Sequence, residues 1–77
     1  MDRRTQIAEI IRTVSKKDVY PEPEESLFES GVLDSFALPE MVSALEAKFG
    51  ISVPDSDLHP RKFESIERIE SYLESRL

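Results

Sequence analysis

The sequence predicts an all-α fold, a small four-helix bundle of three main helices and one short helix, with a long loop between helices I and II. Three observations lead there. Apolar residues recur at helical spacing in three separate stretches, no stretch alternates apolar and polar residues as a half-buried strand does, and prolines and glycines stand between the periodic stretches. With 77 residues, 39% of them hydrophobic and 34% charged, the chain has the composition of an ordinary folded protein, and residues 1–77 read as a single domain with a thin core.

The first helix is expected over residues 2–17, where Ile7, Ile10, Ile11 and Val14 line one side and Lys16 and Lys17 complement the negative end of the helix dipole. Tyr20-Pro21-Glu22-Pro23 cannot continue it. Residues 18–34 then form a long loop, and its Leu27, Phe28, Val32 and Leu33 imply that it is packed down rather than freely solvated. Leu38, Met41, Val42, Leu45 and Phe49 share one face of a second helix, with Gly50 as its stop. Proline fits only the first turn of a helix, so Pro39 places Asp34 and Ser35 at or just before the N-terminus, and both are good capping residues. Residues 54–58 allow a short helical turn capped by Asp55 or Ser56 and closed by Pro60. Ser65 caps a last helix whose buried stripe is Ile66, Ile69, Leu73 and Leu77, with Tyr72 at its flank.

Composition removes several classes of function. Cysteine is absent, which excludes disulfides, thiolate metal sites and cysteine nucleophiles, so any thiol chemistry has to be imported. A net charge of −6, with ten scattered Lys and Arg, disfavours nucleic acid as a partner and suits proteins with basic patches. No apolar run approaches the roughly 20 residues of a membrane span, and the N-terminus has no continuous apolar signal core, which makes the cytoplasm the default compartment. A monomer is expected.

At about 100° per residue, Phe36 lies nearly opposite the apolar stripe of helix II. Glu40, Ser43 and Ala47 project on the same outer side, forming a weakly charged strip directly after Ser35 that suits a docking partner. Two placements of the Phe36 ring stay open at this point: outward into solvent, or folded back onto the long loop.

Gly31-Val32-Leu33-Asp34-Ser35-Phe36 followed by a helix resembles the phosphopantetheine attachment motif of the acyl carrier and peptidyl carrier protein family. Helix I, the Leu27-Phe28 anchor of the loop, Leu45-Glu46, Phe49-Gly50-Ile51, Val53-Pro54 and a final helix appear in the family's order, so the resemblance covers nearly the whole chain. It implies a carrier that is a substrate of partner enzymes and has no catalytic residues or resident metal of its own. On it, Ser35 would carry a covalent 4'-phosphopantetheine arm derived from coenzyme A, whose thiol holds an acyl or aminoacyl cargo as a thioester. Asp34 would help complete the metal site of the phosphopantetheinyl transferase, a role compatible with capping. The other implied partners are a loading ligase or acyltransferase and a downstream acceptor enzyme.

Carriers of the fatty-acid type have Leu after the serine and a strongly acidic second helix, whereas this chain has Phe36, Pro39 and only Glu40 and Glu46 there. Val32-Leu33-Asp34-Ser35 and Arg61-Lys62-Phe63-Glu64-Ser65 are more similar to D-alanyl and other aminoacyl carriers. An aminoacyl or specialised acyl cargo is therefore expected, with a fatty-acid or polyketide acyl carrier as the alternative. Because the sequence begins at Met1 without a flanking linker, a discrete carrier is expected.

Two rival functions are weaker on the residues. An enzyme built on Ser35 and the single histidine, His59, would also need an orienting group and an oxyanion hole, and His59 between Leu58 and Pro60 reads as an exposed loop residue. Asp55 and Asp57 mimic the first ligands of a calcium loop, but Ile66 stands where the closing glutamate belongs. An unmodified helical adaptor fits the same fold, and only modification of Ser35 separates it from a carrier.

Overall fold

In the computed structural model, which describes residues 2–77, α1 spans Arg3–Ser15, α2 spans Ala37–Phe49 and α3 spans Ile66–Arg76. The described residues contain no strand. Met1, taken above as the start of a discrete carrier, lies outside them.

The Asp2 carboxylate opens α1 by accepting the Thr5 N–H at 2.7 Å, satisfying one of the donors that every helix start leaves without a partner. The helix ends sooner than residue 17 because Lys16 turns into the left-handed region at φ 59°, where its N–H donates to the Arg12 carbonyl at 3.0 Å. Gly50 ends α2 in the same way, at φ 66° with its N–H on the Glu46 carbonyl at 2.9 Å, a conformation that glycine adopts without Cβ strain. Ser65 is the cap of α3, its hydroxyl accepting the Arg68 N–H at 3.2 Å.

Helix α1 packs against both α2 and α3, so the core gathers around its inner side. Ile7 and Ile11 meet Leu38, Met41, Val42 and Leu45 of α2 and Ile66, Ile69 and Leu73 of α3. Ile10, Val14 and Phe49 border this core and are only half-buried. Leu77 does not join the buried stripe: it follows the last helical residue and is 60% exposed. Residues 16–36 form turns without a helix, held down by buried Leu27 and Leu33 and half-buried Phe28 and Val32. The Leu27 N–H donates to the Glu64 carbonyl at 2.7 Å and the Glu67 N–H to the Pro23 carbonyl at 2.9 Å, which fastens this segment to the start of α3.

In place of the expected short fourth helix stand two 3₁₀ turns, Asp55–Asp57 and Pro60–Phe63. Neither Asp55 nor Ser56 is a cap, since Pro54 holds that position, and Pro60 opens the second turn instead of closing the first. Two prolines this close leave no room for an α-helical ladder, and the i→i+3 bonds of short 3₁₀ pieces are what remains. Phe63, which the sequence reading leaves out of the core, is buried from the second turn and lies 5.1 Å from the Tyr72 ring of α3.

The first 3₁₀ turn is tied to α3 by Asp57, which accepts the Tyr72 hydroxyl at 2.7 Å and the Lys62 ammonium at 3.1 Å. The Tyr72 hydrogen bond first, and the Lys62 bond after it, hold the Asp57 carboxyl below the usual carboxylate range. Burial, then the bond to Asp57, raises the Tyr72 phenol above its ordinary value. A carboxyl depressed in the folded state adds stability above its unfolded pKa and loses it as pH falls through the folded one. Asp57→Asn is therefore expected to flatten the decline of Tm below about pH 4, measured by thermal melting across acid pH; an unchanged acid limb contradicts this.

Candidate attachment site at the mouth of α2

The chain approaches α2 through a closed turn. The Ser30 N–H donates to the Ser26 carbonyl at 3.0 Å, the Gly31 N–H to Phe28 at 3.3 Å, and the Leu33 N–H returns to Leu27 at 2.9 Å. Gly31 has φ 83°, a conformation that side chains resist, and the Lys17 ammonium donates to its carbonyl at 2.7 Å. Lys17 escapes a sequence reading because its partner is a backbone carbonyl in a distant turn, with no local pattern to signal it. Leu33 then drops into the core at 3% exposure, which makes the next three residues emerge at the surface.

Asp34, Ser35 and Phe36 are all exposed. Phe36 holds the position before α2 and offers no side-chain cap. Of the two expected capping residues, Asp34, two residues further back, supplies the bond, its Oδ1 accepting the Ala37 N–H at 2.9 Å and its carbonyl the same N–H at 3.1 Å. Ser35 is thereby released from closing the helix end, and its hydroxyl stands on an exposed residue between a capped turn and the first turn of α2. Phe36 is 89% exposed, which decides between its two placements in favour of the outward one. Glu40, Ser43 and Ala47 are exposed along α2 as expected. Glu46 is different, since its carboxylate accepts the Val53 N–H at 2.8 Å, leaving Glu40 as the exposed acid of that helix.

His59 is exposed between the two 3₁₀ turns, and the carboxylate nearest to it in sequence, Asp57, is occupied by Tyr72 and Lys62. Among the described residues no three or more His, Cys, Asp or Glu side chains are grouped to hold a metal ion. The chemistry on offer at the mouth of α2 is that of an accessible serine hydroxyl beside a carboxylate, a fit for a phosphodiester link made by a second protein.

Residues 5–73 match the phosphopantetheine attachment site family. The chain belongs to that family. It is a carrier protein, a substrate of partner enzymes rather than a catalyst, and its prosthetic group is covalently attached 4'-phosphopantetheine. A D-alanyl carrier protein of Leuconostoc mesenteroides subsp. mesenteroides is 33% identical over 75 residues, covering 97% of this carrier and 96% of that protein. One from Lactobacillus acidophilus is 28% identical over 75 residues, covering 97% and 95%. One from Streptococcus thermophilus reaches 40% identity over 57 residues, 74% of this carrier and 72% of that protein. No helix of the carrier is long and apolar enough to cross a membrane among the described residues.

Proposed function

We propose that Ser35 carries the phosphopantetheine arm and that the cargo is an aminoacyl group, as the name of the D-alanyl carriers states for those proteins. The observation that carries this is the exposed Ser35 with its neighbour Asp34 already satisfying the first N–H of α2. A phosphopantetheinyl transferase brings coenzyme A and Mg²⁺ to the serine. The Ser35 Oγ attacks the phosphorus that bears the pantetheine, the new Oγ–P bond forms, the bond to the leaving adenosine 3',5'-bisphosphate breaks, and the hydroxyl proton passes to a base of the transferase. Asp34 keeps its cap and turns a carboxylate oxygen to the transferase's metal. The arm supplies a terminal thiol that holds the cargo as a thioester, which the carrier's own residues cannot do because cysteine is absent.

Residues 1–77 act as one carrier domain, monomeric and cytoplasmic, where coenzyme A and its transferase are found. The two 3₁₀ turns occupy the place of the short fourth helix of the expected bundle. A loading ligase and a downstream acceptor enzyme complete the set of partners. Phe36, Glu40, Ser43 and Ala47 form the face on which they dock. Incubation with coenzyme A, Mg²⁺ and a broad-specificity transferase is expected to raise the intact mass by one arm, and an unshifted mass would favour an unmodified adaptor.

Phe36→Ala tests the docking face. An exposed ring contributes little to folding, so Tm should stay within a few degrees, whereas truncating an aromatic anchor typically costs binding about 1–2 kcal/mol. The kcat/KM for modification is expected to fall about tenfold. A large loss of thermal stability, or an unchanged kcat/KM, would contradict this placement.

A further inference from the structure

The net charge of −6 is not spread over the carrier. Residues 18–34 hold six acids, Asp18, Glu22, Glu24, Glu25, Glu29 and Asp34, with no Lys or Arg, while the rest of the chain has ten acids and ten bases. That one segment accounts for the entire imbalance.

The fold delivers part of this charge to the mouth of α2. Asp34 adjoins Ser35, Glu29 lies within the closed turn that leads to it, and Asp18 follows Lys17, whose ammonium is bound to the Gly31 carbonyl. The exposed side of α2 contributes no net charge, because Glu40 is offset by Lys48 and the other exposed positions include Phe36, Ser43 and Ala47. An apolar projection on a helix of no net charge is thus bordered by a loop in acidic excess, where Asp18, Glu29 and Asp34 face only the Lys17 ammonium as counter-charge.

We infer that the phosphopantetheinyl transferase docks on this face with an apolar socket for Phe36 and with its Lys and Arg residues set over residues 18–34, not along α2. This rests on Ser35 being the attachment point, since an enzyme that acts on its hydroxyl has to cover the ground around it. Charges at the edge of a docking surface act mainly on the rate of encounter, and their effect fades with salt as the screening length contracts from about 10 Å at 0.1 M.

The test compares kcat/KM for modification of the full chain across a NaCl series, using coenzyme A, Mg²⁺ and one transferase. Asp18→Asn/Glu29→Gln removes two exposed loop charges, and Asp55→Asn/Glu74→Gln removes two exposed charges from the first 3₁₀ turn and from α3, neither bonded to the loop. The loop variant is expected to lose about three- to tenfold at low salt, with the gap closing at 0.5 M, while the second variant stays within about twofold throughout. Thermal melting of both variants checks that neither loss comes from unfolding. Equal losses in the two variants would mean that total charge alone matters and would overturn the inference, as would a loop variant with the wild-type salt dependence. If the wild-type chain is not modified at all, the reading of Ser35 falls; if it is modified and the loop variant behaves as wild type, only the docking inference falls.

Discussion

Ser35→Ala is expected to keep its unmodified mass under conditions that convert the wild-type carrier, while its helical circular dichroism and Tm stay unchanged. The first half follows from chemistry, because alanine has no oxygen to attack phosphorus. The second follows from the division of labour at the mouth of α2. Asp34, not Ser35, accepts the Ala37 N–H, and Ser35 is exposed, so removing its hydroxyl costs neither a cap nor a core contact. Asp34→Ala should cost about 1 kcal/mol of stability through the lost bond to the Ala37 N–H, and should also slow modification, because the carboxylate offered to the transferase's metal is gone. Intact-mass measurement and thermal melting on the three proteins check both halves. A Ser35→Ala protein that gains an arm, or one that melts well below wild type, would contradict them.

Phe63→Ala is expected to lower stability by about 3–5 kcal/mol. Phe63 is 1% exposed and among the largest fully buried side chains, and its ring stands 5.1 Å from Tyr72 in a tilted arrangement. Truncating it opens a void between the second 3₁₀ turn and α3 at the point where Lys62 and Tyr72 hold Asp57. A domain of 77 residues has a total stability of about 4–12 kcal/mol at the usual contribution per residue, so one substitution removes a large share of it. Urea unfolding measures the loss directly. A change below about 1 kcal/mol would mean that the site collapses around the smaller side chain.

The three helices were legible because each buries one stripe of a 3.6-residue period, and a stripe such as Leu38, Met41, Val42 and Leu45 has no second interpretation in a chain this short. Ser65 and Gly50 were legible as boundaries because capping chemistry is local. What the sequence left open depended on neighbours far along the chain. Asp34 and Ser35 are equally good caps in isolation, and the backbone path out of Leu33 selects between them. The outward ring of Phe36 was one of two placements because a shift of one residue in the helix start rotates it by about 100°. Residues 54–58 read as a single helical turn closed by Pro60, and the second turn carries no sequence signal, because proline is equally at home as a terminator and as an opener. Phe63 carried no periodic signal, since the turn that buries it is only four residues long.

Within the candidate site, the order Gly31, Leu33, Asp34, Ser35, Phe36 already contained most of the physics: a positive φ, a core plug, a cap, an exposed hydroxyl and an exposed ring. The Lys17 clamp on Gly31 and the inward turn of Glu46 became visible only in three dimensions.

The carrier has ten serines, and the exposed Ser30 lies only five residues before the proposed attachment point, so a gain in intact mass does not by itself name the residue. Fragmentation of the modified chain by tandem mass spectrometry does. The whole of the added mass is expected on Ser35, with every other serine at its native mass; the arm found on Ser30 or any other residue would contradict the assignment outright.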